Sequence, residues 1–533
     1  MSEALTVGRS SEIAFALSNR AVVIFVTILL LAPSALFAGA LRPIPAAVVF
    51  MGCAGALILI LRDPSRASPS PLDAALDIRR LALFVGLAGF LLVLGGAGHL
   101  LYPPLDWRQR DAVLADLSAG ALPIVYDVDD AQLALRAPLG MYMLPAAFGR
   151  ALGLGAAHVA LWAQNSLFLG AIFYLLATLG RGPRHVFVMA LLSGLSVAGV
   201  AIYAALAGPP NLLRLETYGL VAWHPAWQYS SSVVQFFWAP NHALPGWWLA
   251  TLLLLQARGQ VDRATSAVSI AGAMFWTPLG AAAPALWLLF SVCADLRRQA
   301  LSVRDLCAAA FGLGFIPIAL YLIVSSGEIK HGAAGLDAVF LLRFALFALP
   351  EFAIAGYVIA NRSLIANEYR GLLAFSCLVL ATLPLFKFGP GNDLVMRASI
   401  PALVVVGFLF GEILLQGPAT GRMRFLLGCA LLAVAAPSAL WEVARAFTHE
   451  RIAISDCSLV EASQALREGD TPTNYLVESA RIPAWIMDAS RNGARPVRER
   501  RCWSDQEDTR RTLQALEPWR KPKQSEPKQS ETR

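Results

Sequence analysis

LALFVGLAGFLLVLGGAGHLLYPPLDWRQRDAVLADL, residues 81–117, joins an apolar run to a charge-dense one. The run over 81–101 is long enough to cross a bilayer, because a spanning helix needs about 20 predominantly apolar residues. The six residues from Asp106 to Asp111 then supply two carboxylates, two guanidinium groups and a Trp. We interpret this stretch as a polar cap at the outer end of a membrane span, and as the first place to expect a functional site.

The composition is that of a polytopic membrane protein. Of the 533 residues, 57% are hydrophobic and 15% are charged, whereas a soluble domain carries about 25% charged residues. The net charge of +7 is explained by Arg in short loops between apolar runs, since Lys/Arg bias sets membrane orientation. No basic run with interleaved aromatic residues occurs, so we expect no nucleic-acid partner.

Thirteen apolar segments predict an all-α transmembrane fold of about 13 helices. Juxtamembrane helices are expected in the first outer loop, and a small extramembrane α+β segment is expected at the C-terminus. The predicted spans are 21–40, 44–61, 81–101, 156–178, 186–206, 243–257, 266–277, 279–294, 306–325, 339–360, 371–386, 398–415 and 425–441. Two of these, 266–277 and 279–294, are expected to form a hairpin whose aromatic tip reaches the outer interface.

Domain boundaries follow from the same pattern. Residues 1–80 form an N-terminal cytoplasmic segment with a transmembrane hairpin, and 81–441 form the transmembrane core. Residues 442–515 form a C-terminal periplasmic segment. The last stretch, 516–533, repeats Pro-Lys-Gln-Ser-Glu and is predicted to be disordered, because this composition cannot bury a core.

The loops fall into two classes that give the orientation. One set is short and Arg-rich, which the positive-inside rule assigns to the cytoplasm. The other set is longer, is rich in Trp, Tyr, Pro and Asn, and covers 102–155, 207–242, 326–338 and 387–397. We therefore expect a multi-pass protein of a bacterial inner membrane with a cytoplasmic N-terminus, and with the long loops and the C-terminal tail in the periplasm.

The two cysteines of the polar tail bear on this orientation. Cys457 and Cys502 lie there, and the outer loops contain no other cysteine. Because disulfides persist on the oxidising side of the membrane, we predict a disulfide between them. The alternative is two free thiols in a cytoplasmic tail.

The first outer loop offers several candidate carboxylates. Asp106 and Arg110 can lie together at i, i+4 spacing on the helix that the pattern after Trp107 predicts. Trp107 itself is expected to anchor at the membrane interface. Asp111 and the pair Asp129–Asp130 are the other candidates for a catalytic group. The simpler interpretation is a solvated amphipathic cap.

The second outer loop is aromatic with scattered hydrogen-bonding groups. It includes Trp238, Asn241 and His242, and aromatic rings beside amides and imidazoles are typical of carbohydrate sites. An interfacial belt of aromatic side chains explains the Trp residues better than it explains Asn241 and His242. No metal-ligand spacing links His242 with His224, so we predict substrate contact and not metal binding.

Ionisable residues also occur inside one predicted span. Arg343 and Glu351 both lie within 339–360, where charged groups are costly and mark function by default. Eight residues of helix separate them by about 12 Å, which disfavours a direct pair. Pro350 is expected to kink the helix beside Glu351.

The fourth outer loop reads KFGPGNDLVMRAS over 387–399. Gly-Pro-Gly permits a tight turn close to a ligand, and Asn392 and Asp393 are expected to cap the following helix. Lys387 and Arg397 flank the turn, and cations near a helix N-terminus are unfavourable unless an anion is present. A bound phosphate would resolve this conflict, and snorkelling to lipid headgroups is the alternative.

Residues 80–450 resemble the GT-C fold glycosyltransferases, polytopic enzymes that typically use a lipid-phosphate-linked sugar as donor. The resemblance is carried by a span ending in Asp106, a juxtamembrane helix, and then Gly120…Pro123…Tyr126…Arg136-Ala-Pro138-Leu-Gly140-Met-Tyr142 returning to the membrane. The hairpin tip at 275–278 and the basic loop around Arg397 are similar in style. Two features depart from the family: Trp107 follows Asp106 where many members carry an acidic pair, and an additional hairpin, 21–61, precedes the loop.

The resemblance implies an inverting transfer of a sugar from a polyprenyl-phosphate donor to a lipid or glycan hydroxyl on the periplasmic face. Asp106, with Asp111 as the alternative, would act as general base, and cations would stabilise the phosphate leaving group. No cofactor is expected and no metal ligands are assigned, with a divalent metal kept open as an addition. The predicted substrate-binding residues are Arg108, Arg110, Tyr126, Trp238, Asn241, His242, His331, Arg343, Glu351, Lys387, Asn392, Asp393 and Arg397.

Two other function classes fit parts of the sequence. A transporter or flippase of a lipid-linked saccharide would use the same basic and aromatic outer surface. Many secondary transporters carry inverted repeats, and no corresponding halves are seen here. A structural or sensor subunit would not need so many outer cations.

Overall fold

The computed structural model describes residues 17–64, 70–129, 131–298, 300–389, 391–468 and 470–518. Helices dominate, as the sequence predicts for a mostly α-helical membrane protein. They are α1 (Arg20–Ala38), α2 (Pro43–Leu61), α3 (Ile78–Leu94), α4 (Trp107–Ala119), α5 (Gly140–Leu152), α6 (Leu154–Leu179), α7 (Pro183–Leu191), α8 (Ser196–Ala207), α9 (Leu212–Tyr218), α10 (Ser232–Trp238), α11 (Pro240–Ala257), α12 (Arg263–Ala273), α13 (Pro278–Arg297), α14 (Val303–Leu313), α15 (Ile316–Ile323), α16 (Ala338–Glu351), α17 (Ala353–Ala360), α18 (Arg370–Thr382), α19 (Asp393–Ala398), α20 (Ile400–Leu414), α21 (Arg422–Thr448), α22 (Leu459–Leu466) and α23 (Gln506–Leu516). The strands are β1 (Val125–Val128), β2 (Ala131–Leu135), β3 (His331–Ala333), β4 (Phe386–Phe388), β5 (Leu476–Glu478) and β6 (Ala494–Pro496).

Eight helices in the described part of the chain are long and apolar enough to cross a membrane, and two bent pairs raise the number to ten. The predicted count of 13 is therefore not confirmed, and three predicted spans make the difference. α3 has 17 residues because it stops at Leu94, before a Gly-rich turn. α12 has only 11 residues, and α11 opens with the polar Asn241 and His242.

Helix α3 nevertheless runs the length of α6 in the opposite direction. The backbone N–H of Asp77, just before α3, donates to the hydroxyl of Tyr174 near the end of α6 at 3.1 Å. Beyond the other end of α3, His99 lies edge-on to His158 near the start of α6, with ring centroids 5.4 Å apart. α3 thus connects the same two ends of the molecule as α6, which meets the length and hydropathy criteria for a span.

The first outer loop and the C-terminal segment build one sheet. β1 and β2 form an antiparallel hairpin, β6 pairs parallel to β1, and β5 pairs antiparallel to β2. The strand order is β5-β2-β1-β6. The C-terminal α+β segment is present as predicted, but it is not a separate unit, because half of its sheet comes from the loop before α5.

The C-terminal segment is closed by a disulfide. Cys457 and Cys502 form the bond that the sequence predicts, with Cα atoms 6.0 Å apart. Leu516 is the last residue of α23, so a helix reaches the first residue of the tail that was predicted to be disordered. Residues 519–533 lie outside the described part of the chain.

Two predictions about bends have different outcomes. α16 and α17 meet at 62°, immediately after Pro350, so the predicted kink is confirmed. The hairpin of α12 and α13 is also present, and the residues of its tip are covered by the rest of the protein. Phe275 and Trp276 are fully buried, and the Trp276 indole donates to the carbonyl of Leu30 at 3.0 Å, so these rings pack inside the protein and not against lipid, while the depth of the tip in the membrane stays a prediction.

Candidate functional site

Asp106 lies immediately before α4 with its carboxylate half exposed. The guanidinium of Arg110 donates to Asp106 Oδ2 at 3.0 Å, which is the i, i+4 pair that the sequence predicts. The Asp106 side chain is 48% exposed, against 5% for Arg110. Trp107 is buried and its indole donates to the carbonyl of Phe237 at 2.9 Å, so its predicted role as an interface anchor is wrong. The indole instead anchors the start of α4 to α10.

A polar chain continues from Arg110 into the second outer loop. Its guanidinium also donates to Asn241 Oδ1 at 3.3 Å, which leaves the Asn241 amide nitrogen to donate to His242 Nε2 at 3.1 Å. The proton of neutral His242 then sits on Nδ1, which donates to the hydroxyl of Thr277 at 2.9 Å. Arg110 therefore fixes the orientation of the Asn241 amide, which in turn fixes the tautomer of His242. His242 connects this chain to Thr277 at the tip of the α12–α13 hairpin.

Two tyrosines, the partly buried Tyr475 and the buried Tyr142, lie within electrostatic range of Arg110. Burial raises the pKa of Tyr475, on which the charges of Arg397, Arg110, Asp106 and Asp393 also act. Burial likewise raises the pKa of Tyr142, beside Arg110. Asp106 and Arg397 are therefore close enough to the same phenol to influence it, although they come from the first and fourth outer loops.

Arg397 has a carboxylate partner of its own. It lies in the last turn of α19 and pairs with Asp393 at 2.8 Å. Arg397 lies just before the start of α20, and the carboxylate of Asp393 supplies an anion there, which offsets the predicted conflict between a cation and a helix N-terminus. Asn392 adopts a left-handed backbone with φ of 57° and makes no side-chain cap, so the predicted capping role is wrong for this residue. Its side chain accepts from the Phe388 backbone at 3.4 Å. Pro390 of the Gly-Pro-Gly turn lies outside the described residues.

Trp238 belongs to a second polar cluster that sequence reasoning missed. Its indole donates to Glu442 Oε2 at 2.9 Å, and Glu442 pairs with Arg445 at 3.1 Å. The Arg445 guanidinium lies 5.4 Å from the ring centroids of both Trp238 and Tyr102. A Glu–Arg pair at i, i+3 spacing at the end of an apolar run was the available signal, and the predicted domain boundary cut it off from the core.

Two predicted substrate-binding residues tie the loop to the C-terminal segment. Tyr126 is fully buried and its hydroxyl donates to Asp116 at 2.5 Å. Arg108 pairs with Asp505 and lies over the ring of Trp503, 4.8 Å from its centroid. Neither side chain makes a described contact with Asp106. Their contacts stabilise the packing of the first outer loop and of the C-terminal segment.

Four other predicted residues lie away from Asp106. Glu351 accepts from the indole of Trp223 at 2.9 Å and is buried at the bend between α16 and α17. Arg343 is exposed on α16, and its charge acts on His224, whose pKa burial lowers to about 4. His331 and Lys387 are exposed on the paired strands β3 and β4.

The alternative carboxylates differ from Asp106 in access. Asp111 is 2% exposed and faces His99, with Nε2 2.8 Å from Oδ2. Asp129 is exposed at the β1–β2 turn with φ of 48°, and Asp130 lies outside the described residues. Among the candidates for which contacts are described, Asp106 combines an accessible carboxylate with a buried cationic partner.

This arrangement can accept a proton and hold an anion. An accessible carboxylate fixed by a guanidinium can take the proton of a hydroxyl group, and a second guanidinium nearby can bind phosphate. Comparisons with protein-family models, with curated proteins and with solved structures find no match to this chain.

Proposed function

We propose that this chain is an integral membrane glycosyltransferase of the GT-C type. It transfers a sugar from a polyprenyl-phosphate donor to a hydroxyl group of a lipid or glycan, on the periplasmic face of a bacterial inner membrane and with inversion at the anomeric carbon. The observation that carries the proposal is the half-exposed Asp106 carboxylate, which is held by buried Arg110. The charges of Asp106 and Arg397 both act on Tyr475, so the two side chains lie near the same phenol.

Asp106 is the general base in this proposal. The acceptor oxygen bonds to the anomeric carbon while its proton passes to the Asp106 carboxylate, and the bond from that carbon to the phosphate oxygen breaks. A base must come within hydrogen-bond reach of the acceptor, which favours Asp106, at 48% exposure, over the buried Asp111. Arg110 fixes the orientation of the carboxylate.

Arg397 is the cation for the leaving phosphate. Its side chain is 24% exposed and its charge reaches the same tyrosine, Tyr475, as that of Asp106. A guanidinium binds phosphate through parallel hydrogen bonds that strengthen as negative charge develops. In the resting site Asp393 occupies this guanidinium, so the donor phosphate competes with Asp393 for it.

The test of the base is transfer by the purified protein in nanodiscs, with a panel of polyprenyl-phosphate hexoses and pentoses and a membrane lipid and glycan extract as acceptor. Asp106→Asn should lower turnover by about 10²–10⁴-fold, the usual contribution of a positioned base. Asp127→Asn is the matched control, because Asp127 is exposed on β1 of the same loop. Asp106→Asn protein that is folded and transfers at the wild-type rate would contradict the assignment.

The test of the phosphate site is binding of a polyprenyl phosphate without sugar. Arg397→Gln should weaken binding by about 10- to 100-fold, because a hydrogen bond to a charged group contributes about 1.5–3 kcal/mol. Asp393→Asn removes the competing carboxylate and should leave binding equal or tighter. Weakening by both variants alike would indicate a structural role for the pair.

A second candidate function, transport of a lipid-linked saccharide, is favoured by the bend at Glu351. Glu351 Oε2 is buried without a hydrogen-bond partner among the described residues, and this side chain lines a cavity with Ser193, Ser230 and Gln235. Broken helices beside such sites occur in transporters. Transport would be impaired by Glu351→Gln and not by Asp106→Asn, whereas transfer predicts loss in Asp106→Asn.

A further inference from the structure

Three ionisable side chains converge where the first outer loop meets α6. His99 follows α3, Asp111 lies on α4 and His158 lies on α6. His99 Nε2 is 2.8 Å from Asp111 Oδ2, and His158 Nδ1 is 3.9 Å from Asp111 Oδ1. One nitrogen or oxygen from each residue lies within 4.8 Å of the others. All three side chains are more than nine-tenths buried.

His99 and Asp111 face each other with lone pairs, and His158 lies beside them. His99 Nδ1 is 2.8 Å from the carbonyl of Ile452, and a carbonyl can only accept, so the proton of neutral His99 lies on Nδ1. The lone pair of Nε2 then faces the carboxylate of Asp111. His99 Nε2, both Asp111 oxygens and His158 Nε2 have no hydrogen-bond partner of acceptable geometry in the described part of the chain. Buried acceptors in this state are costly, and a cation shared by the three residues would satisfy His99 Nε2 and the carboxylate of Asp111.

The backbone around His99 is shaped to present the ring. His99 has φ of 56° and follows Gly96 and Gly98, with φ of 87° and 75°. A side chain at Gly96 would meet Pro103 Cα at 2.3 Å, so the turn packs against the start of the charged stretch. A non-glycine residue with positive φ is uncommon and concentrates at functional sites.

We propose that His99, Asp111 and His158 bind a divalent first-row transition metal ion of the zinc class. Two imidazoles and one carboxylate are a known ligand set for such ions, with ligand distances of about 2.0–2.2 Å, and ligand atoms that share one ion lie roughly 3–4 Å apart. The Ile452 carbonyl is the outer partner that fixes the His99 tautomer for coordination. Nothing in the spacing of 99, 111 and 158 suggests a metal motif, so the sequence alone does not reveal this site.

The ion would fasten α4 to α6 and to the C-terminal segment that carries Ile452. Asp111 lies on α4, five residues beyond Asp106 at the N-cap of that helix, so the ion would also fix the position of the half-exposed carboxylate. Metal content can be measured without any transfer assay. The inference therefore does not rest on the proposed function, and each can fail alone.

The experiment is metal analysis of the full-length protein purified in detergent without chelator. We expect about one zinc-class ion per chain by mass spectrometry of the elements, removal by a strong chelator, and a lower apparent Tm that added Zn²⁺ restores. Co²⁺ added to the stripped protein should give visible absorption bands of an ion with nitrogen and oxygen ligands. His158→Gln and Asp111→Asn should each remove the bound ion and the response to Zn²⁺.

The matched control is His224→Gln, because His224 is also a buried histidine but has no carboxylate beside it in the described contacts. This variant should keep the ion. Wild-type protein without the metal, with no Co²⁺ bands and no Tm response to Zn²⁺, would overturn the proposal and leave His99–Asp111 as a proton-sharing pair. An ion retained by His158→Gln and Asp111→Asn would overturn it too. The wild-type measurements decide the matter even where a variant does not fold.

Discussion

At the scale of single residues, Asp116 is the carboxyl group whose environment predicts a pH dependence. Burial raises its pKa from 3.8 to about 6, against hydrogen bonds from Tyr126 and the Leu459 backbone and the charge of Arg495. Because the folded pKa exceeds the unfolded one, the native state binds the proton more tightly. The stabilising contribution is complete below pH 4 and is lost as pH rises through about 6.

We expect Asp116→Asn to remove this dependence. The rise of the Asp116 pKa from 3.8 to about 6 corresponds to a loss of about 3 kcal/mol of stability, so the apparent Tm of wild type should fall relative to Asp116→Asn between pH 4 and pH 7. The amide still accepts from Tyr126 and Leu459, which makes it a close mimic of the protonated acid. Melting curves across this range test it, with Asp127→Asn as the exposed control. Parallel curves for wild type and Asp116→Asn would contradict the prediction.

The residues of the site differ in how far sequence could reveal them. Asp106 and Arg110 are one helical turn apart, so their pairing follows from local geometry. The next contact, from Arg110 to Asn241, joins residues 131 positions apart and depends on how α4 packs against α10 and α11. No local rule gives that packing, and the same holds for the meeting of His99 with His158.

At the scale of elements, the disulfide is the strongest constraint on the C-terminal segment. Cys457 and Cys502 are 45 residues apart, and closing a loop of this length restricts the unfolded chain by about 4 kcal/mol in the chain-entropy description. The enclosed segment contributes α22, β5 and β6. We expect the double variant Cys457→Ser/Cys502→Ser to expose this segment to limited proteolysis faster than wild type.

The control for this experiment is Cys293→Ser, which removes an exposed free cysteine and should leave the cleavage rate unchanged. Reduction of wild type should reproduce the double variant. Equal cleavage of the oxidised and reduced forms would mean that the sheet with β1 and β2 holds the segment without the disulfide.

Elements were predictable where one signal dominated. Pro350 predicted a bend because proline removes a backbone donor, and α16 and α17 meet there. The sheet β5-β2-β1-β6 was not predictable, since β5 and β6 have three residues each and period-two patterning needs longer runs. Thirteen spans were predicted because hydropathy alone cannot place the glycine turn that ends α3 or the polar start of α11.

At the scale of the whole molecule, ion pairs gather at two opposite ends. One end holds Arg304–Asp262 and Arg263–Asp295, close to the Arg-rich loops. The other end holds Arg42–Asp488 and Arg108–Asp505, together with the sheet. α3 and α6 run between these two ends. The line that joins the two groups of ion pairs is therefore parallel to these helices, and we call it the long axis of the molecule.

The orientation of this axis in a membrane is the final prediction. The positive-inside rule assigns the Arg-rich end to the cytoplasm, so the end that carries Asp106 faces the periplasm. Single cysteines introduced as Asp127→Cys and Arg298→Cys, in a chain whose five free cysteines are replaced by Ser, report on the two ends, since both positions are exposed. A membrane-impermeant maleimide should label Asp127→Cys in intact cells and Arg298→Cys only after permeabilisation. Labelling in the reverse order would show that the chain has the opposite orientation in the membrane. The Asp106 site would then need a cytoplasmic donor, and the predicted disulfide would sit on the reducing side, where it would not persist.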